Sequence, residues 1–497
     1  MNRLTPIAFA VATLLAATPV LAAVDVPLGD VFRIESASPF PHFFQDPVVA
    51  RARDGAIVAA WGTQGDDGVP RIAMQRLATD GAPLGPVSEV ARLNAKLGRS
   101  DFDLAVDDAG VAVVVWRDGD PDRDEWRLLL RRYAPDGTVL GEPMLVEQVA
   151  GGEVLGRPAI AADADGDVVI AWERGHVGRD LNTPVLRLRL GQRQVRLRRY
   201  GRDGQAAGDA EVAAARADLL LQAGAAVGYI GGPAVMVGAS TRLLDSVDVA
   251  VDEDGDHIVV WGGESDVGVY AVIDFFSLPY AYTAIDSTTI FARRYGADGR
   301  PLERLPTVVD SASTVELIGR SSDRLGGPLL GAVNGPPSVA MQRDGSHLVA
   351  WTRQRIAPLR DREPDVVVAQ RYGASGERLP ELAASREPAV TPVRLSRVAV
   401  AAAGADYVLA WGSAFASSRF DRASVDAVRV SAAHRAGRVD EVGTRLSVAP
   451  REPSGYGEST PPSVAVDGLG NPVFMWLAYD PPTQGISRLF GRLYTRP

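Results

Sequence analysis

Seven tryptophans, each closing a short apolar run, constrain this chain more than any other feature of it. Trp61, Trp116, Trp172, Trp261, Trp351, Trp411 and Trp476 end the runs Ile57-Val58-Ala59-Ala60, Val113-Val114-Val115, Val169-Ile170-Ala171, Ile258-Val259-Val260, Leu348-Val349-Ala350, Val408-Leu409-Ala410 and Val473-Phe474-Met475. Six residues before the tryptophan stands Gly55, Gly110, Gly166, Gly255, Gly345 or Gly470, displaced by one at Gly404 in the sixth copy. Eleven before it stands Ala50, Ala105, Ala161, Ala250, Ala340 or Ala465, again displaced by one at Ala399. Self-similarity of this kind marks a stacked or radial repeat fold.

The fullest copy, residues 248–299, reads as four β-strands. Strand A runs up to Asp252, B spans 257–261, C spans 289–295, and D follows Gly299. Strand B is apolar at nearly every position, so both of its faces must be covered. The Asx-Gly pair before it supplies the positive φ of a tight hairpin. A sheet with two apolar faces cannot stand alone, whereas a ring of such sheets buries them all and leaves only short edges. The small alanine of strand A suits a crowded inner end. Each repeated tryptophan is expected between neighbouring units, its indole N–H bonded to backbone.

The pattern Val/Ile-Ala-x-x-x-Asp-Gly, then Val-Val-x-Trp, then Arg131-Arg132-Tyr133-x-x-Asp136-Gly137 and its copies resembles the seven-bladed β-propellers of secreted bacterial repeat proteins. That resemblance implies an all-β chain of four-stranded antiparallel blades, over residues 46–91, 102–148, 158–214, 247–310, 337–384, 396–448 and 462–497. It is unlike WD40 repeats, because Asp never follows the tryptophan, and unlike sialidase repeats, whose aromatic lies closer to the glycine. It carries architecture and not activity, since propellers host many chemistries.

The two chain ends look complementary. Pro27-Leu28-Gly29 resembles strand D segments such as Pro83-Leu84-Gly85, while the last unit stops after strand C at Arg492-Leu493-Tyr494. Residues 28–35 are therefore expected to pair with 487–494 and close the ring in its last blade.

Residues 1–23 have the form of a secretory signal: Arg3, an apolar core from Ile7 to Leu15, and Val20-Leu21-Ala22 at the cut, with Ala23 as an alternative end. The remainder, 24–497, reads as one exported domain, periplasmic or extracellular, with no inserted membrane span, and is expected to be monomeric. The chain has no cysteine, which rules out disulfides and zinc–thiolate sites. A net charge of −10 argues against nucleic-acid binding. Lys96 is the sole lysine, which removes most lysine chemistry.

Strand parity sorts the loops. The A–B and C–D turns, such as Asp54-Gly55, Asp136-Gly137, Asp203-Gly204 and Asp298-Gly299, are short and share one rim. The B–C loops and the links to the next unit share the other, and absorb all of the variation in the tryptophan spacings of 55, 56, 89, 90, 60 and 65. The largest insertions are 208–245, 262–287 and 310–335, with Ala/Leu-rich 210–225 expected as a short helix. Long loops on a rigid scaffold are where binding resides.

Three sets of residues on that rim are candidates. Phe43 and Phe44 in the link to the first unit, and Tyr270, Phe275, Phe276, Tyr280 and Tyr282 in a B–C loop, form an aromatic set suited to a protein or glycan, or to anchoring their own loops. Asp118, Asp120, Asp122 and Asp124 alternate as Ca²⁺ ligands do, although the run has Arg123 and Leu129 where an EF-hand needs Gly and Glu. Leu186-Arg187-Leu188-Arg189-Leu190, with Arg193, Arg196, Arg198 and Arg199, reads as a hairpin with a basic edge, which also blocks edge-to-edge pairing.

There is no Gly-x-Ser-x-Gly elbow, no phosphate loop and no His-Glu-x-x-His. With no catalytic motif, the expectation is a binding or scaffold module that holds a protein or polysaccharide partner through its loop rim, needing no cofactor beyond the candidate Ca²⁺. The alternative is a glycan-active hydrolase or lyase whose carboxylates and arginines meet at the mouth of the central channel.

Overall fold

The computed structural model describes residues 25–496 apart from 35–46, 65–66, 95–100, 121, 183–185, 226–233, 273–280, 320–327, 357–364, 386–392, 416–421, 432–442, 454–460 and 481–485. Its described regular structure is all β, arranged as a propeller-like ring of antiparallel sheets. The inner strands are Val48–Arg51, Phe102–Val106, Ala159–Ala162, the last residues of Ala234–Val251, Ser338–Met341, Ala399–Ala403 and Ser463–Val466. Each lies against the next, and the last lies against the first, so the set closes on itself.

Alternation along the second strands explains why these units need each other. In Ile57–Gln64, the side chains of Val58 and Ala60 join one apolar cluster, shared with the following unit and its Trp116. Ile57, Ala59 and Trp61 point the other way, into a cluster with Ala465, Val473 and Met475 of the last unit. The same division recurs around the ring, and each repeated tryptophan packs against the unit before it. A strand side-chain period of two thus places one apolar set on each face of every sheet.

The turns behave as their glycines require. Gly55, Gly137, Gly204 and Gly299 have φ of 94°, 87°, 84° and 82°, in the region that costs other residues most. At 252–256 the Asp252 carboxylate accepts the N–H groups of Asp254 and Asp256 at 3.0 and 2.9 Å, which fixes the hairpin before strand His257–Val272.

Closure follows the expected pairing. Strand Val26–Ile34 runs antiparallel to Ile486–Thr495, with Leu28 opposite Leu493 and Ile34 opposite Leu489. Just before it, the side chain of Asp25 is wholly buried against Arg429, which donates from Nε and Nη2 at 2.7 Å each and also reaches Gly470 O at 2.6 Å.

Two expectations about the strands need correction. Hydrogen bonding collects the strands into five sheets and not seven separate ones. Strands between Val168 and Ile356 run far beyond the blade body and pair with their neighbours there, merging three units into one 14-stranded sheet. The expected helix at 210–225 is instead the strand Glu211–Ala225, paired along its length with Leu186–Tyr200. Cross-strand partners outweigh the helix preference of Ala and Leu here.

The tryptophan N–H groups also depart from the expectation. Trp351 Nε1 donates to the side chain of Asn334 at 3.1 Å, whereas Trp61 and Trp172 Nε1 are buried with no partner. Trp351→Phe is therefore expected to cost about 1 kcal/mol more than Trp172→Phe, since only the first leaves a broken bond. Urea unfolding of the two variants checks this, and equal losses would count against it.

Candidate functional site

The inner strands enter the ring from the variable-loop rim, and their first residues wall a cavity of about 220 Å³ on the axis. Register aligns them. The residue opposite the one before each repeated tryptophan is Val48, Asp103, Ala159, Asp248, Ser338, Ala399 or Ser463. Two residues earlier stand Arg157 and Arg397, in the third and sixth units. Carboxylates and guanidiniums from four units thus line one small space.

Each carboxylate clasps two neighbouring units. An inner strand has a free edge towards the axis, and its N–H groups need acceptors. Asp103 accepts from Leu104 N at 2.9 Å in its own strand and from Ile160 N at 3.0 Å in the next. Asp248 does the same for Val249 N and Val339 N, both at 3.0 Å. Ser463 Oγ takes the equivalent proton of Val49 N at 3.0 Å. Arg397 reaches Asp248 at 3.6 Å and donates to Ser338 Oγ and Pro337 O at 3.2 Å each.

The electrostatics are unusual for aspartates. Burial pushes the Asp103 carboxyl up to about 6, the nearby negative charge of Asp248 adds to the rise, and Arg157 and the two N–H bonds act against it. Asp248 is raised too, again by burial, with Arg397 and Arg157 opposing. Two interacting carboxyls, one able to hold its proton near pH 6, are suited to proton transfer, and the arginines can orient hydroxyl or acidic groups of a ligand.

The residues singled out from sequence lie elsewhere. Phe43, Phe44, Phe275, Phe276 and Tyr280 fall outside the described residues. Tyr270 and Tyr282 do come together, as direct cross-strand partners in the extension of the 14-stranded sheet. The acidic set occupies the hairpin between Ala112–Asp120 and Glu125–Tyr133. There Asp118 pairs with Arg127 at 3.2 Å, Asp120 accepts from Asp122 N at 3.0 Å, and Asp124, at φ 53°, accepts from Gly152 N. Among the described residues no three acidic or histidine side chains gather as a metal site. The basic hairpin exists as the pair Val168–Asn182 and Leu186–Tyr200, with Arg196 held to Glu147 at 2.7 Å.

Sequence reading missed Asp103, Asp248, Arg157 and Arg397. Their signal is columnar: aligned by strand register, a position otherwise filled by Val, Ala or Ser carries Asp in two copies.

No family model matches the chain, and no curated protein matches it. Three solved structures illustrate what the ring is similar to. An alpha-L-arabinanase from Penicillium chrysogenum with arabinobiose has 11% identity and a TM-score of 0.38, over 78% of this chain and 93% of that one. A polysaccharide lyase, an ulvan lyase of family PL25, has 10% identity and a TM-score of 0.44, over 93% and 95%. An alpha-L-arabinofuranosidase from Fusarium graminearum with an iminosugar inhibitor has 11% identity and a TM-score of 0.37, over 94% and 98%.

The expectation of a binding or scaffold module working through its loop rim is corrected here. The charged residues converge on the axis and not on the long loops, at a place where reacting groups can meet around one ligand.

Proposed function

We propose that the chain is a glycan-active hydrolase or lyase with its reacting groups at the mouth of the axial cavity. The observation that carries this reading is the set Asp103, Asp248, Arg157 and Arg397, brought to one cavity on the variable rim from four different units. Burial raises both carboxyls, and of the pair Asp103, pushed up to about 6, is assigned as the proton donor. Asp248 is assigned as the base, and the arginines hold the sugar against the pair. The reading includes a seven-bladed ring over 24–497, exported after loss of 1–23.

The test is a panel of arabinan, ulvan, xylan, polygalacturonate and chondroitin sulfate, followed by reducing-sugar release and by absorbance of unsaturated products. Cleavage of at least one is expected, with Asp103→Asn lowering kcat by about 100-fold or more while far-UV circular dichroism shows the ring still folded at the assay temperature. An acid must be protonated to act, so kcat should fall about tenfold per pH unit above roughly 6. No cleavage of any panel member, or full activity in Asp103→Asn, counts against the assignment.

A further inference from the structure

The far end of the axis is crossed by ion pairs between units. At the rim of the A–B turns Asp108, in the second unit, accepts from Arg53 of the first at 3.1 Å and from Arg343 of the fifth at 3.2 Å. Arg343 also holds Glu253 of the fourth at 2.9 Å, and Gly468 N of the last unit donates to Arg53 O at 3.2 Å. Going round the ring of inner strands, the second and fifth units are three places apart, so the Asp108–Arg343 bond spans the axis.

The cavity correspondingly runs no deeper than Ile160, Val249 and Val339, near the starts of their strands. The next inward-strand positions are small, Ala161, Ala250 and Ala340, which lets the backbones close in. The space above that floor, about 220 Å³, lies under the roughly 300–1,000 Å³ of sites that enclose a drug-sized ligand. It suits a sugar residue or two, entering and leaving by one mouth.

Resting on the reading of the protein as a glycan-active enzyme, we infer that it works on chain ends: a terminal sugar is inserted into a blind pocket, and the polymer beyond it stays outside. The floor prevents a strand from threading the ring, and Asp103 and Asp248 stand in the wall of the pocket and not on an open groove.

The experiment uses the full chain and whichever panel polysaccharide it cuts. Product size is followed by size-exclusion chromatography, alongside two oligosaccharides of that glycan, one blocked at its reducing end and one at its non-reducing end. The expected result is early build-up of the smallest product while the polymer peak keeps its mass, with loss of cleavage for one blocked form and not the other. Early collapse of polymer mass, or cutting of both blocked forms to internal fragments, overturns the inference and leaves the enzymatic reading standing. No cleavage of any panel member overturns both.

Discussion

Replacing Arg429 by alanine should cost the fold about 3–5 kcal/mol, because it strands a carboxylate that cannot reach water. The Asp25 side chain has no exposure and Arg429 only 7%, so the pair is held in a dry site where the N-terminal segment meets the sixth and seventh units. Breaking one partner leaves a buried charge, and the segment carrying it also leads into the strand that completes the last sheet. Asp25→Ala should do comparable damage by freeing Arg429, and the double variant should lose clearly less than the sum. Urea unfolding at neutral pH measures all three, and a loss under about 1 kcal/mol for Arg429→Ala would show that the clasp is dispensable.

The second large effect concerns acid. His257 and His347 each open a second strand, are 0% and 2% exposed, and stack on Tyr295 and Tyr372 with ring centroids 5.0 and 4.8 Å apart. Burial lowers both to about 4, against a hydrogen bond to the carbonyl two residues earlier that acts the other way. The folded state therefore refuses a proton that the unfolded chain accepts near 6.5. Their contribution is whole above pH 6.5 and is lost as pH falls from there to about 4, at about 3 kcal/mol for each residue.

Buried acids act in the opposite sense. Asp103 and Asp252 are raised to about 6, chiefly by burial, so the folded state takes up their protons first and gains stability over part of the same window. A His257→Phe/His347→Phe variant isolates the histidines. Its unfolding free energy relative to the unsubstituted chain should rise by roughly 6 kcal/mol between pH 7 and pH 4. Parallel pH curves for the two proteins would sink the argument.

The ring was readable from sequence because its signals repeat at fixed offsets. Ala50, Gly55 and Trp61 mean little alone, yet their copies locate an inner strand, a hairpin and an inter-unit contact each time. Pairing of the two ends was readable for the same reason, as a spare strand at one end and a missing one at the other. The separate sheets were not, because Glu211–Ala225 and its neighbours keep pairing past the blade body, and Glu211–Ala225 itself shows no alternation, so its cross-strand partners decide.

The axial set was hidden for a different reason. Asp103 and Asp248 each look like ordinary strand-edge residues, and Arg157 and Arg397 lie two positions off their column. Only strand register brings residues hundreds of positions apart into one cavity. The alternating aspartates at 118–124 drew notice because their pattern is local, and local spacing is what a linear reading detects.

Pairing of Val26–Ile34 with Ile486–Thr495 has a consequence for synthesis. A contact spanning 469 positions, Thr495 to Val26, must wait until both of the strands that make it have been synthesised. Until then the nascent polypeptide is an arc with uncovered apolar ends, prone to join a second arc, and every earlier contact forms without the circle being shut. Only a molecule that holds both of these strands loses those bare ends, so the fold itself discriminates closed rings from open arcs.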